Sequence, residues 1–191
     1  MFTYLECGQP SSLVTYHSRY CETEAQQVCG IPLLPLRSGS GPAPKTDAEH
    51  DIVDEAIELF RATILFKEFK VEGPADKLIV YMTVFMQKIL SLTVRSKVHD
   101  EKTIAEIAKK LVKETIPKAD DPKFYMRALG LVEAPKNATE NKQYDGYLMQ
   151  VKTECAERLL KRLYDYDGMD FKYWLPFGKI KFMGKDFNNT P

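Results

Sequence analysis

ADKLIVYMTVFMQKILSL, Ala75 to Leu92, decides the fold. From Leu78 to Leu92 the only polar residues are Thr83, Gln87, Lys88 and Ser91. On a helix, Thr83, Gln87 and Ser91 fall four apart on one narrow stripe, and the rest of the circumference is apolar. LIVYMTVF is rich in strand formers, but the length of the run and its lack of turn residues favour a helix. A helix apolar on nearly all sides must be covered on nearly all sides. The sequence therefore predicts an all-α fold. It reads as a single compact domain with one apolar central helix surrounded by amphipathic helices, preceded by an extended Pro-rich N-terminal segment.

The neighbouring patterns supply the cover. DIVDEAIELFRATILF, residues 51–66, places Val53, Ile57, Phe60 and Ile64 on one face, with Asp51, Asp54 and Glu55 at its dipole-favoured start. Gly73-Pro74 breaks the chain before the central helix. A third helix is expected over Thr103–Thr115, with Ile104, Ile107, Ala108, Leu111 and Val112 inward. Thr103 to Glu106 reads as its capping box, and Pro117 marks its end. Residues 117–141 are broken by Pro122, Gly130 and Pro135. Within them a short helix is expected near Lys123–Leu129, and ATENK, residues 138–142, reads as a surface loop. The last long helix is expected over Lys142–Tyr164, with the stripe Tyr144, Leu148, Val151, Cys155, Leu159 and Leu163. Arg158, Lys161 and Arg162 suit its C-terminal dipole. Asp165 to Gly168 reads as a turn, and FKYWLPFGKIKFMGKDF mixes aromatics with lysines. The chain thus divides into an irregular N-terminal part (1–30), an extended Pro/Gly connector (31–46), a helical domain (47–185) and a short tail (186–191).

Composition narrows the partners. The 191 residues carry 27 basic and 27 acidic side chains. Such balance leaves no electrostatic footprint for nucleic acid or an anionic membrane, and it is compatible with life inside an assembly. MFTYLECGQPSS lacks the basic start of a signal peptide, and the run Leu78–Leu92 is short for a bilayer. Four cysteines, at 7, 21, 29 and 155, show no disulfide-framework spacing. The expected location is the cytoplasm, where the sequon at Asn137 has no meaning.

GSGPAPKT, Gly39 to Thr46, is one residue from the phosphate-loop pattern, with Pro44 in place of the second glycine. A phosphate loop needs consecutive backbone N–H donors, and Pro42 and Pro44 remove two of them. The prolines at 32 and 35 also exclude a central strand before it. The stretch reads as a semi-rigid connector. His17, His50 and His99 stand in no triad. Cys7, His17, Cys21 and Cys29 formally make a zinc set, but their spacings lack the close pairs that begin a chelate. The acidic start of the first helix reads as a solvated, dipole-matched face rather than an acid/base pair. No catalytic, cofactor-binding or metal-ligating residue is expected. In the tail, Phe171, Tyr173, Trp174, Phe177 and Phe182 alternate with Lys172, Lys179, Lys181 and Lys185. Three readings stand: base stacking with phosphate contacts, aromatic cover for the core, or a protein-docking surface.

Tyr16-His17-Ser18, Ile31–Arg37 (IPLLPLR), Gly41–Pro44 (GPAP) and Asp51–Ile57 (DIVDEAI) follow in an order that resembles subunit 3 of the actin-related protein 2/3 complex, the p21 subunit family. The similarity continues through Ala75–Tyr81 (ADKLIVY) and returns at Lys172-Tyr173-Trp174 and Phe182-Met183. The resemblance implies an all-helical, non-catalytic part of a seven-subunit assembly that nucleates branched actin filaments in the cytoplasmic actin cytoskeleton. It implies as partners the other subunits, above all the larger actin-related one, and the actin filament, with any ATP held by the actin-related subunits. In that light IPLLPLR is a clip, and the candidate partner-binding residues are Leu33, Leu34 and Leu36 with Trp174, Phe177, Lys179 and Lys181. The other functional class is a nucleotide- or RNA-binding helical module.

Overall fold

The computed structural model describes residues 17–39, 41–97, 100–164 and 170–187. Cys7, His99 and the expected turn Asp165 to Gly168 lie outside them. The order is a two-stranded ribbon, β1 Gln27–Val28 and β2 Ile31–Pro32, then helices α1 Ile52–Thr63, α2 Pro74–Ser96, α3 Glu101–Lys113, α4 Tyr125–Ala128, α5 Ala138–Tyr164 and α6 Asp170–Trp174. Two 3-10 turns, Leu175–Lys179 and Phe182–Gly184, finish the tail. The strands are antiparallel and joined by Cys29-Gly30, both at positive φ (49° and 77°). That backbone suits a tight hairpin turn.

Helix α2 is the axle. Pro74 starts it at a position where its missing N–H costs nothing. Leu78, Ile79, Met82, Met86, Ile89 and Leu90 are fully buried. Helices α1, α3 and α5, strand β2 and the first 3-10 turn all pack on it. With 23 residues it is longer than the sequence reading, and by length and composition alone it is able to cross a bilayer. Here its apolar circumference faces the other elements instead.

The polar stripe of α2 is buried as well: Thr83, Gln87 and Ser91 are at most 5% exposed. The tail lies over it. A Cβ on Gly178 would sit 2.7 Å from the carbonyl carbon and oxygen of Leu90, so only glycine fits that crossing. The Gln87 amide donates to the Ile180 carbonyl at 3.1 Å. A helix side that looks polar in sequence is thus the seat for a second stretch of backbone.

Local chemistry sets the helix starts. Asp51 caps α1 by accepting from the amides of Val53 and Asp54, and Asp54 returns a bond to the Asp51 amide. Helix α3 begins two residues before the expected start, with Asp100 as cap accepting from the Thr103 amide at 2.6 Å. Thr103 is therefore the receiver of the cap rather than the cap. ATENK is not a loop: it forms the first turn of α5, because the Asn137 side chain accepts from the Glu140 amide at 2.8 Å.

Candidate functional site

The N-terminal segment does not hang from the bundle. Leu34 and Leu36 are 1% and 0% exposed, while Leu33 is half-buried. Leu34 offers its backbone to a buried side chain on α5. Its amide donates to the Tyr147 hydroxyl at 3.0 Å, and that hydroxyl donates to its carbonyl at 3.2 Å. The clip leucines thus anchor the segment to this chain's own core. Of the clip leucines only Leu33 keeps part of its side chain at the surface.

GSGPAPKT is likewise held down. Leu36 donates to the Pro44 carbonyl at 2.8 Å, and Thr46 donates to the Leu36 carbonyl at 3.0 Å, which closes a loop. Gln150 of α5 grips that loop. Its Oε1 accepts from the Ala43 amide at 2.9 Å, and its Nε2 donates to the Ser38 carbonyl at 3.3 Å and to Glu154 at 3.0 Å. A Cβ on Gly41 would overlap the Gln150 side chain. The loop is therefore a strap bonded to α5 rather than a semi-rigid connector. Lys45 points to solvent and meets Asp47 at 3.7 Å.

Beside the strap lies a buried ionic knot. Arg158 of α5 reaches both carboxylate oxygens of Asp51, at 2.6 and 2.9 Å, as well as Asp54 at 3.0 Å and Glu154. Arg37 adds its amide to Asp51 at 2.9 Å and its guanidinium to Asp54 at 2.7 Å. Ser38 bonds to Glu154. Burial alone would raise the Asp51 carboxyl; the hydrogen bonds from Arg158 and from the Arg37 amide outweigh it and hold it below its ordinary value.

A second knot fixes residues 17–19. Asp76 accepts from His17 Nδ1, the Ser18 amide and the Glu72 amide, at 2.8, 2.8 and 2.9 Å. Glu55 accepts from the Ser18 hydroxyl at 2.5 Å and from Arg19 at 2.9 and 3.0 Å. Asp51 and Glu55 are 2% and 4% exposed, so the start of α1 is not the solvated face read from sequence. Its carboxylates are clamps for the chain before it.

No catalytic or metal-binding arrangement emerges from these groups. His17 is engaged by Asp76, and Cys29 is buried, its thiol pushed up to about 11 by burial and then by Glu140. Among the described residues no His, Cys, Asp or Glu group is disposed to hold a metal ion.

The tail splits into an inner and an outer part. Trp174, 3% exposed, stacks on Phe60 with ring centres 5.4 Å apart. Phe177 is half-buried, edge-on to Phe60 at 6.1 Å and beneath Arg61 at 5.6 Å. Lys179 and Lys181 are exposed, and Lys181 meets Asp186 at 3.4 Å. Among the described residues, Tyr173 and Leu65 are the large apolar side chains most open to solvent, at 60% and 59%. Sequence reading missed the roles of Gln150 and Glu154 and saw Arg158 only as a dipole match. Their spacing of four along α5 was the available signal.

Residues 13–187, which span clip, bundle and tail, match a family model described as "P21-Arc: ARP2/3 complex ARPC3 (21 kDa) subunit". The chain belongs to the P21-Arc family. Relatives named actin-related protein 2/3 complex subunit 3 are 37% identical in Arabidopsis thaliana, 35% in Dictyostelium discoideum and 33% in Schizosaccharomyces pombe. These matches cover 89–90% of this chain and 97–99% of the relatives. P21-Arc is a family of structural complex subunits, not of enzymes.

Proposed function

We propose that this chain is a non-catalytic structural subunit of an actin-related protein 2/3 complex, the seven-subunit assembly that nucleates branched actin filaments in the cytoplasm. It sits against the larger actin-related subunit and adds contacts at the branch junction. The observation that carries this reading is the family match over residues 13–187, which includes the clip and the tail as well as the bundle. The geometry supports it: residues 17–19 and the strap are clamped by buried carboxylates and by Gln150, and the tail is held on α2 by Gln87, as suits a scaffold that presents fixed surfaces. The surfaces offered are Leu33 on the clip and Phe177, Lys179 and Lys181 on the tail. Leu34, Leu36 and Trp174 set the shape of those surfaces from beneath.

The test is to tag the chain in cells and ask whether six other polypeptides co-purify, two of them actin-like. Recovery of the chain alone would overturn the proposal. For the tail, neutralising Lys179 and Lys181 together should weaken branching in a filament-branching assay while the thermal melt stays in place. Unchanged branching would remove the tail from the junction. The nucleotide- or RNA-binding reading is checked by titration with ATP and with single-stranded RNA, where micromolar binding would revive it.

A further inference from the structure

Helices α2, α3, α4 and α5 and the end of the tail enclose a pocket of about 50 Å³. Its walls are apolar: Val84, Phe85, Leu111, Phe124, Tyr125 and Phe187. One buried charge enters it, the ammonium of Lys152, a residue 6% exposed. The nitrogen lies 5.8 Å from the centre of the Phe85 ring and 2.9 Å from the Glu114 carbonyl, both parts of the lining. Among the described residues that carbonyl is its one hydrogen-bond acceptor. An ammonium has three N–H donors, so two are left unserved between apolar walls, at a cost to the fold. On the more open side Lys88 meets the Glu114 carboxylate at 3.1 Å, so both lysines engage the same residue.

We propose that this pocket is a carbon dioxide site, in which the Lys152 side-chain amine is converted to a carbamate. The amine lone pair attacks the carbon of carbon dioxide. An N–C bond forms, one C=O π bond opens onto its oxygen, and one N–H proton passes to solvent; nothing is oxidised or reduced. Size fits: the pocket has room for about three or four water-sized groups, and carbon dioxide brings three atoms. The gas is apolar, as the walls are. Donor count fits better. A carbamate nitrogen keeps a single N–H, and the pocket holds a single acceptor for it, the Glu114 carbonyl. The new anion has Lys88 as counter-ion, while the Glu114 carboxylate opposes it from a side chain 46% exposed and so screened by water. Lys88 and Glu114 are the charged groups facing Lys152 in the lining; burial pushes the Tyr81 and Tyr125 phenols up and keeps them neutral. Burial likewise pushes the Lys152 ammonium down to about 8, against the pull of Glu114 and with a smaller push from Lys88. About half of the amine is then free to react at pH 8, against about one part in 250 for an ordinary lysine.

The experiment equilibrates the full chain with carbon-13-labelled carbon dioxide and bicarbonate at pH 8, traps carbamates with triethyloxonium, and maps the ethyl carbamates by peptide mass spectrometry. Lys152 should carry at least about tenfold more label than the exposed Lys102 and Lys109, in line with its larger free-amine share. At fixed dissolved carbon dioxide its label should grow as pH rises from 7 through about 8. A carbon-13 resonance of the carbamate should be present in the wild type and lost in Lys152→Met. Two variants then test the charges around it. Lys88→Gln should lower the Lys152 label, and Glu114→Gln, which keeps the backbone carbonyl, should raise it, each by about twofold to fivefold. A lysine held only for packing predicts neither change. Label at Lys152 no higher than at Lys102 and Lys109 overturns the inference, and this comparison needs the wild-type chain alone. So does a Lys88→Gln or Glu114→Gln variant with wild-type helical circular dichroism whose label stays level or moves the other way.

Discussion

Arg158→Met should be strongly destabilising. Arg158 satisfies Asp51, Asp54 and Glu154 together, and Asp51 and Glu154 are only 2% and 4% exposed. Methionine fills much of the same space, so the loss is electrostatic rather than a cavity. Removing one partner of a buried ion pair costs about 3–5 kcal/mol, because the charge left behind is not rehydrated. For a chain of this size each kcal/mol moves the melting temperature by about 2–4 °C, so a drop of roughly 6–20 °C is expected. A thermal melt of the full chain, followed by helical circular dichroism, measures the drop, and urea unfolding measures the free energy. Asp51 gives the pH signature. Its folded value lies below the ordinary one, so its contribution is complete above the unfolded pKa of about 4 and is lost as pH falls through the folded value. The wild type should therefore lose its advantage over Arg158→Met on that acid limb. Arg158→Lys keeps the charge but not the bidentate grip, and should fall between the two. A cost below about 1 kcal/mol for Arg158→Met at neutral pH would refute the claim that this knot holds clip, α1 and α5 together.

Three further outcomes follow from the same contacts. Gly178→Ala should lift the tail from α2 and destabilise by about 1–3 kcal/mol, with Trp174 fluorescence shifting toward the solvent-exposed signal. Gln150→Ala frees the strap, and limited proteolysis should then cut within residues 38–44, where the wild-type chain resists. Lys152 is 6% exposed, bonded to the Glu114 carbonyl at 2.9 Å, with its ammonium pushed down to about 8 by burial, against a smaller opposing pull from Glu114. Its penalty is complete below pH 8 and eases as pH rises from about 8 toward the unfolded value near 10.4, so Lys152→Met should match or exceed wild-type stability at pH 7 and lose that advantage by pH 10. A melt at each pH decides it.

The helices were legible because their information is local. The α5 stripe Tyr144, Leu148, Val151, Cys155, Leu159 and Leu163 is buried throughout, and Ile104, Ala108 and Leu111 of α3 face inward as their spacing requires. The α2 pattern demanded cover on all sides, and the fold supplies it. What sequence did not disclose was the destination of the irregular segments. Leu34 finds Tyr147, 113 positions away, and Asp51 finds Arg158, 107 positions away. No periodicity encodes such pairs. An acidic helix start looks the same whether it meets water or an arginine, and an extended leucine run looks the same whether it faces a partner or its own core. The candidate surface was therefore legible as a region, but not as a division between its inward and outward side chains.

One regularity does connect the two levels. Thr83, Gln87 and Ser91 on α2, and Gln150, Glu154 and Arg158 on α5, are polar residues four apart on helices that also carry core residues. In each case a non-helical segment lies over or beside the stripe: the tail on α2, the strap and clip on α5. The cause is general. Irregular backbone has no ladder of its own, so when it packs on a helix its N–H and C=O groups need partners there. An apolar stripe would leave them unpaired at about 1–3 kcal/mol each. Gln87 and Gln150, set within such rows, supply those partners without interrupting the helix. The stripe is thus the sequence trace of a seat for extended chain, and in this fold the seated chains are the ones that form the candidate partner surface.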